Sequence, residues 1–153
     1  MKNKYLTLFL FLAITFLASA IGGYVTSSFK EPWYSGLLLP SLSPPAWVFG
    51  PVWTTLYIFM SIAIWRIWII NNEFKILLIY FAHLFFNSIW SVVFFGFHNI
   101  LLALLNLIII LIFIVILMII YISRDKIAFY LMIPYLIWSS FALYLNFSIL
   151  ILN

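Results

Sequence analysis

The sequence predicts an all-α membrane protein, a bundle of five transmembrane helices with a long folded loop between helices 1 and 2. Three observations carry this reading. Hydrophobic residues make up 68% of the 153-residue chain and charged residues only 7%, whereas soluble domains carry about 25% charged residues. Five apolar runs, roughly 5–25, 47–70, 76–97, 100–122 and 127–150, meet the requirement of about 20 residues for a spanning helix. Between the first two runs, residues 32–57 hold five prolines, two glycines and three tryptophans. A soluble domain this short could not hide so much apolar surface. The whole of 1–153 therefore reads as one membrane domain.

The first run begins with a basic segment, Met1 to Tyr5, and Ala18-Ser19-Ala20 resembles a signal-peptidase site. The apolar run continues past Ala20 to Tyr24, which favours a spanning helix. Ala18 and Gly22, with Ser19 and Gly23, sit four apart, a spacing that lets another helix approach closely. In the loop that follows, Pro44 and Pro45 force extended backbone and hold Ser43 extended as well. A plain connector needs no tryptophans such as Trp33 and Trp47; a loop folded back over a membrane pocket has a use for them.

Pro51 falls near the start of the second run, where a missing N–H costs little. Phe49, Trp53, Tyr57 and Met60 or Ser61 then make one aromatic face. In the third run His83, Asn87, Trp90, Ser91 and Phe94 follow helical spacing along one face. Polar groups are costly in hydrocarbon unless paired, so this face is expected to point into the bundle. In the fifth run Pro134 predicts a kink that opens room beside Trp138 or frees a carbonyl for a partner. Trp138, Ala142 and Asn146 repeat every four residues, with Ala142 as a gap between larger neighbours. Trp65, Trp68 and Tyr121 are assigned to the membrane–water interface.

Composition also excludes several classes. The chain has no cysteine, so disulfides and thiolate chemistry are absent. His83 and His98 lie on different segments beside very few carboxylates, so no metal site is expected. The net charge of +4 forms no basic stripe, so nucleic acid is not an expected partner; the partner is the lipid bilayer. In a five-span chain Lys2, Lys4, Arg66, Lys75, Arg124 and Lys126 fall on one side and Lys30 on the other. The positive-inside rule then puts the N-terminus in the cytoplasm and the 26–46 loop outside, with the plasma membrane as the expected location. No span carries a central Asp or Glu and no internal repeat is apparent, which argues against a proton-coupled or inverted-repeat carrier.

The stretch PWYSGLLLPSLSPPAWVFGPVWTTLYIFM, followed by FNSIWSVVFFGFHN and IPYLIWSSFALYLN, resembles the translocator protein family, also called tryptophan-rich sensory proteins or peripheral-type benzodiazepine receptors. The likeness covers essentially the full chain in order. It implies a five-helix bundle whose first loop is a lid over an internal cavity. It implies binding of porphyrins such as protoporphyrin IX and other haem-pathway tetrapyrroles, and of benzodiazepine- and isoquinoline-type ligands. Carried over position by position, the pocket comprises Trp33, Tyr34 and Pro44 of the lid, Trp53 and Tyr57, Asn87 and Trp90, and Trp138 and Ala142. No cofactor is required; porphyrin enters as ligand or substrate. Relatives are often dimers, so the resemblance also implies a homodimer, although the third run lacks a clean small-xxx-small pair.

This chain departs from the family at Asn106, where many members have aspartate. It departs again at Phe147, which replaces the tyrosine of the animal cholesterol motif. A formal sterol pattern remains at Leu117, Tyr121 and Arg124. The favoured expectation is a tetrapyrrole-binding receptor in stress sensing or tetrapyrrole regulation. The sequence supplies no acid–base pair for independent catalysis. The alternatives are light- and oxygen-dependent porphyrin breakdown, with Trp53 and Trp138 as candidate redox residues, and transport of hydrophobic solutes.

Overall fold

The computed structural model describes residues 3–153; Lys2, counted above among the basic residues, lies outside them. The described residues form five long helices: α1 (Lys4–Phe29), α2 (Ala46–Asn71), α3 (Phe74–Ser91), α4 (Ile100–Ile122) and α5 (Lys126–Leu152). All five are long and apolar enough to cross a membrane, α3 together with the turn that extends it to Gly96. Four of them begin on a recognisable signal. Asn3, Asn99 and Asp125 accept backbone N–H groups in the first turns of α1, α4 and α5, which satisfies donors with no partner inside the helix. Pro45 precedes α2 with extended backbone. Asn72 ends α2 in the left-handed region at φ 51°, where asparagine is tolerated.

The helices form a ring in the order α1, α2, α5, α4, α3. Consecutive helices α2 and α3 therefore touch only slightly, because α1 lies between them on one side. The small residues of α1 make its contact with α3. A Cβ on Gly22 would come within 3.1 Å of Ser91 Oγ, and Ser88 Oγ donates to the Ala18 carbonyl at 3.3 Å. Farther along, the Thr15 and Tyr80 hydroxyls meet at 2.6 Å. Asn106 of α4 donates from Nδ2 to the Phe86 carbonyl of α3 at 2.9 Å, so the amide at this position has a structural use.

One end of the bundle gathers most of the charge. Arg66 at the end of α2 holds Asp125 Oδ2 through Nη2 at 2.8 Å and Nε at 2.9 Å. Arg124 reaches Glu73 at 3.1 Å. Trp65 Nε1 donates to the Lys4 carbonyl at 2.9 Å, tying the start of α1 to the same end. Burial would raise the Asp125 carboxyl, but the Arg66 hydrogen bond, the Ala128 and Ile127 N–H groups and the Arg66 charge together hold it below the usual range.

Tyr121 corrects the interface assignment. It is fully buried, because its face of α4 turns into the helix ring rather than toward headgroups. Leu117 is fully buried with it, so the sterol-like pattern at Leu117, Tyr121 and Arg124 offers no face to lipid. Arg124 is also committed to Glu73. Trp65 and Trp68 are half-buried.

Candidate functional site

Two aromatic layers stack along the bundle. The inner layer joins α2, α3 and α5 through hydrogen bonds. Tyr57 donates its hydroxyl hydrogen to Asn87 Oδ1 at 2.6 Å. Asn87 Nδ2 donates to the Tyr135 oxygen at 2.8 Å. The Tyr135 oxygen lies 2.6 Å from His83 Nε2. Tyr57, Asn87, His83 and Tyr135 are all buried, and such groups in hydrocarbon require these partners. Trp53 caps the layer, its ring centroid 5.7 Å from Tyr57 and 6.2 Å from Tyr135. The amide of Asn87 is thus engaged by two tyrosines, which occupy the space between the three helices.

The outer layer is built on the end of α3. After Ser91 the helix widens into a π-helical turn, Val92–Gly96, a feature often found at functional sites. The turn buries Phe94 and Phe95. Trp90 stacks on Phe94 at 5.0 Å and donates from Nε1 to Asn146 Oδ1 at 3.2 Å. Asn146 in turn donates to the Ile100 carbonyl at 3.0 Å, so the fifth-helix stripe helps hold Trp90.

The loop lies over this layer. Its only regular piece is a 3-10 turn, Tyr34–Gly36. Trp33 meets Phe94 edge-on at 5.4 Å and stacks on His98 at 4.5 Å. Tyr34 packs on Phe94 and Phe95, with the Lys30 ammonium 4.8 Å from its ring centre. Burial, and then the Glu31 charge, push the Tyr34 phenol above its ordinary value. Leu38 is clamped to the end of α5: its N–H donates to Asn153 Oδ1 at 2.9 Å and its carbonyl accepts from Asn153 Nδ2 at 3.1 Å. Pro44 is half-buried where the loop enters α2.

The predicted residues therefore divide between regions. Trp53, Tyr57 and Asn87 meet in the inner layer; Trp33, Tyr34 and Trp90 meet in the outer one. Trp138 lies to one side, with ring contacts to Phe49 at 5.8 Å and Phe141 at 5.7 Å. It lines a groove of about 460 Å³ between α2 and α5, together with Pro51, Thr55, Pro134 and Ile137. Its indole Nε1 is buried without a hydrogen-bond partner. Ala142 is half-buried beside the core. Tyr135 is missing from the sequence-predicted set. Extending the Trp138–Ala142–Asn146 stripe back by three residues reaches it.

Comparison with known proteins identifies the family. The sequence profile of the TspO/MBR family matches residues 10–152. The chain is 38% identical to the tryptophan-rich protein TspO of Chlorobaculum tepidum, over 100% of this chain and 99% of that protein. It is 38% identical to the tryptophan-rich protein TspO of Archaeoglobus fulgidus, over 86% of this chain and 87% of that protein. It is 32% identical to the translocator protein of Homo sapiens, over 87% of this chain and 84% of that protein.

Proposed function

The chain belongs to the TspO/MBR family of multi-pass membrane proteins, and from that premise we propose that it is a receptor for porphyrins and for benzodiazepine- or isoquinoline-type ligands. The observation that carries this reading is the convergence of Trp53, Tyr57, Asn87 and Tyr135 from three helices. A porphyrin is a wide planar π-system with acidic side chains. Aromatic walls stack on it, each contact contributing on the order of 1 kcal/mol beyond area burial. The unpartnered indole N–H of Trp138 is a donor for a ligand acceptor. Lys30, only loosely paired with Glu31 at 3.8 Å, is the cation for a propionate.

In this reading the protein needs no cofactor, sits in the plasma membrane with the 26–46 loop outside, and its partners are lipid, the planar ligand and a second copy in a homodimer. The test is a protoporphyrin IX titration followed by tryptophan fluorescence and the Soret band. Trp53→Phe and Trp138→Phe should each perturb the bound spectrum, and Trp68→Phe should not. Equal effects from all three remove the site assignment.

Ring contacts around Trp53 favour a second reading, light- and oxygen-dependent porphyrin breakdown. The bound tetrapyrrole would carry the chemistry and the protein its position. Illuminated wild type should then lose the Soret band faster than a Trp53→Phe/Trp138→Phe double variant. Equal rates leave binding alone.

A further inference from the structure

The loop between α1 and α2 carries a surface that the ligand reading does not use. From Pro32 to Trp65 the chain holds no charged residue, and the charges at this end of the bundle are those of Lys30 and Glu31. Leu37 packs on the outer aromatic layer. The apolar residues after it do not: Leu38 is 63% exposed, Leu39 41%, Leu42 62% and Trp47 75%. Scattered exposed leucines are ordinary. Four large apolar side chains exposed within ten residues, with no charge among them, make a surface suited to an apolar neighbour.

The backbone of the loop agrees. Pro40, Pro44 and Pro45 have no N–H. Leu37 and Ser43 donate theirs to the Tyr34 and Pro40 carbonyls at 3.2 and 3.0 Å. Leu38 has both its backbone polar groups on the Asn153 side chain. Of the nine positions 37–45, three therefore have no donor and three have a paired one, which lowers the cost of leaving water.

The Asn153 contact also fixes the height of the loop. Asn153 Nδ2 donates to the Ile149 carbonyl at 2.8 Å, so Leu38 stands level with the last turn of α5, where Ile151 and Leu152 are exposed. The 27 residues of α5 span about 40 Å, and a bilayer with its headgroups is roughly 40–45 Å thick. The last turn of α5, and Leu38 with it, thus falls at the boundary between acyl chains and headgroups. Trp47 stands in the first turn of α2, and an exposed indole suits the same zone.

We propose that the α1–α2 loop docks on the phospholipid leaflet beside it, with Leu38, Leu39, Leu42 and Trp47 inserted at the acyl–headgroup boundary. The lid is then held from two sides, by Trp33 and Tyr34 on the bundle and by lipid on its outer surface. Docking needs no ligand, so it stands or falls apart from the receptor reading.

The test uses full-length protein in phosphatidylcholine vesicles. Because the chain has no cysteine, single nitroxide labels can be placed at Leu38, Leu42 and Ser35, and power-saturation electron paramagnetic resonance compares collisions with dioxygen and with a water-soluble nickel chelate. Labels at Leu38 and Leu42 should favour dioxygen, and the label at Ser35 should favour nickel. Nickel-favoured labels at all three positions overturn the proposal. Low access to both reagents at Leu38 and Leu42 also overturns it, since protein then covers the surface; spin–spin broadening would identify a second copy. A label-free arm follows amide exchange of residues 37–43 in Leu38→Ser/Leu42→Ser, which removes the exposed leucines and leaves Leu37 in place. Exchange should speed about tenfold or more, and an unchanged rate overturns the docking.

Discussion

Asp125 performs two tasks at once, and substitutions can separate them. Its Oδ1 caps α5 by accepting from Ile127 and Ala128 N–H at 2.8 and 3.1 Å. Its Oδ2 takes two hydrogen bonds from Arg66. Asp125→Asn keeps a good capping oxygen and removes the charge. Hydrogen bonds to charged groups contribute about 1.5–3 kcal/mol. The Asp125 side chain is 5% exposed but that of Arg66 is 30% exposed, so the freed guanidinium regains water. The loss should therefore fall short of the about 3–5 kcal/mol for breaking a fully buried pair; about 2 kcal/mol is expected. Asp125→Ala also loses the cap and should cost about 1 kcal/mol more.

The same pair predicts a pH dependence. The folded-state carboxyl is depressed, so its contribution is complete above the unfolded value of about 4. It disappears as pH falls through the folded value. Acid should therefore close the gap between wild type and Asp125→Asn. The assay is reversible unfolding in mixed micelles titrated with dodecyl sulfate, at neutral and acid pH, with Arg66→Gln completing a double-mutant cycle. A neutral-pH difference below about 0.5 kcal/mol, the scale of an exposed pair, would refute the reasoning. A gap that acid leaves unchanged would do the same.

Three further outcomes are expected. Gly22→Leu should destabilise the bundle, because even a Cβ there would stand 3.1 Å from Ser91 Oγ; Gly23→Leu should be tolerated, since nothing lies within 4 Å of a Cβ there. The same micelle assay compares them, and equal effects would refute the close approach of α1 to α3. Single cysteines at Ser35 and Asn72 should label from outside intact cells at Ser35 only; the reverse pattern overturns the orientation. Asn153→Ala removes both hydrogen bonds to Leu38 and should speed amide exchange in residues 36–40; unchanged exchange would show that the clamp does not hold the loop.

Helix number and identity were legible because each span is a long apolar run bounded by charges or turn residues, and Asn3, Asn99 and Asp125 mark three starts. The direction of the Asn87 face was legible too, since 3.6-residue spacing and the cost of an unpaired amide both point it inward. What periodicity does not encode is the neighbour. Nothing in the local pattern pairs Asn87 with Tyr57 and Tyr135, or puts Trp138 against Phe49 instead of Trp53, because those choices depend on the order of helices around the ring. The π-helical turn at Val92–Gly96 adds a residue that α-helical spacing does not anticipate. Tyr121 was misjudged because a tyrosine near a helix end suits an interface and a core equally well; only the rotation of α4 decides.

The ring order has a consequence for biogenesis. α5 closes the gap between α2 and α4, and it is synthesised after the other four. Until it inserts, Asn87 lacks Tyr135, Trp90 lacks Asn146, and Arg66 lacks Asp125. The four earlier spans thus wait in the bilayer as an open arc with an uncovered amide and an uncompensated arginine. A ribosome stalled before Asp125 would leave the translocon and its quality-control proteases a product marked by those unmet groups.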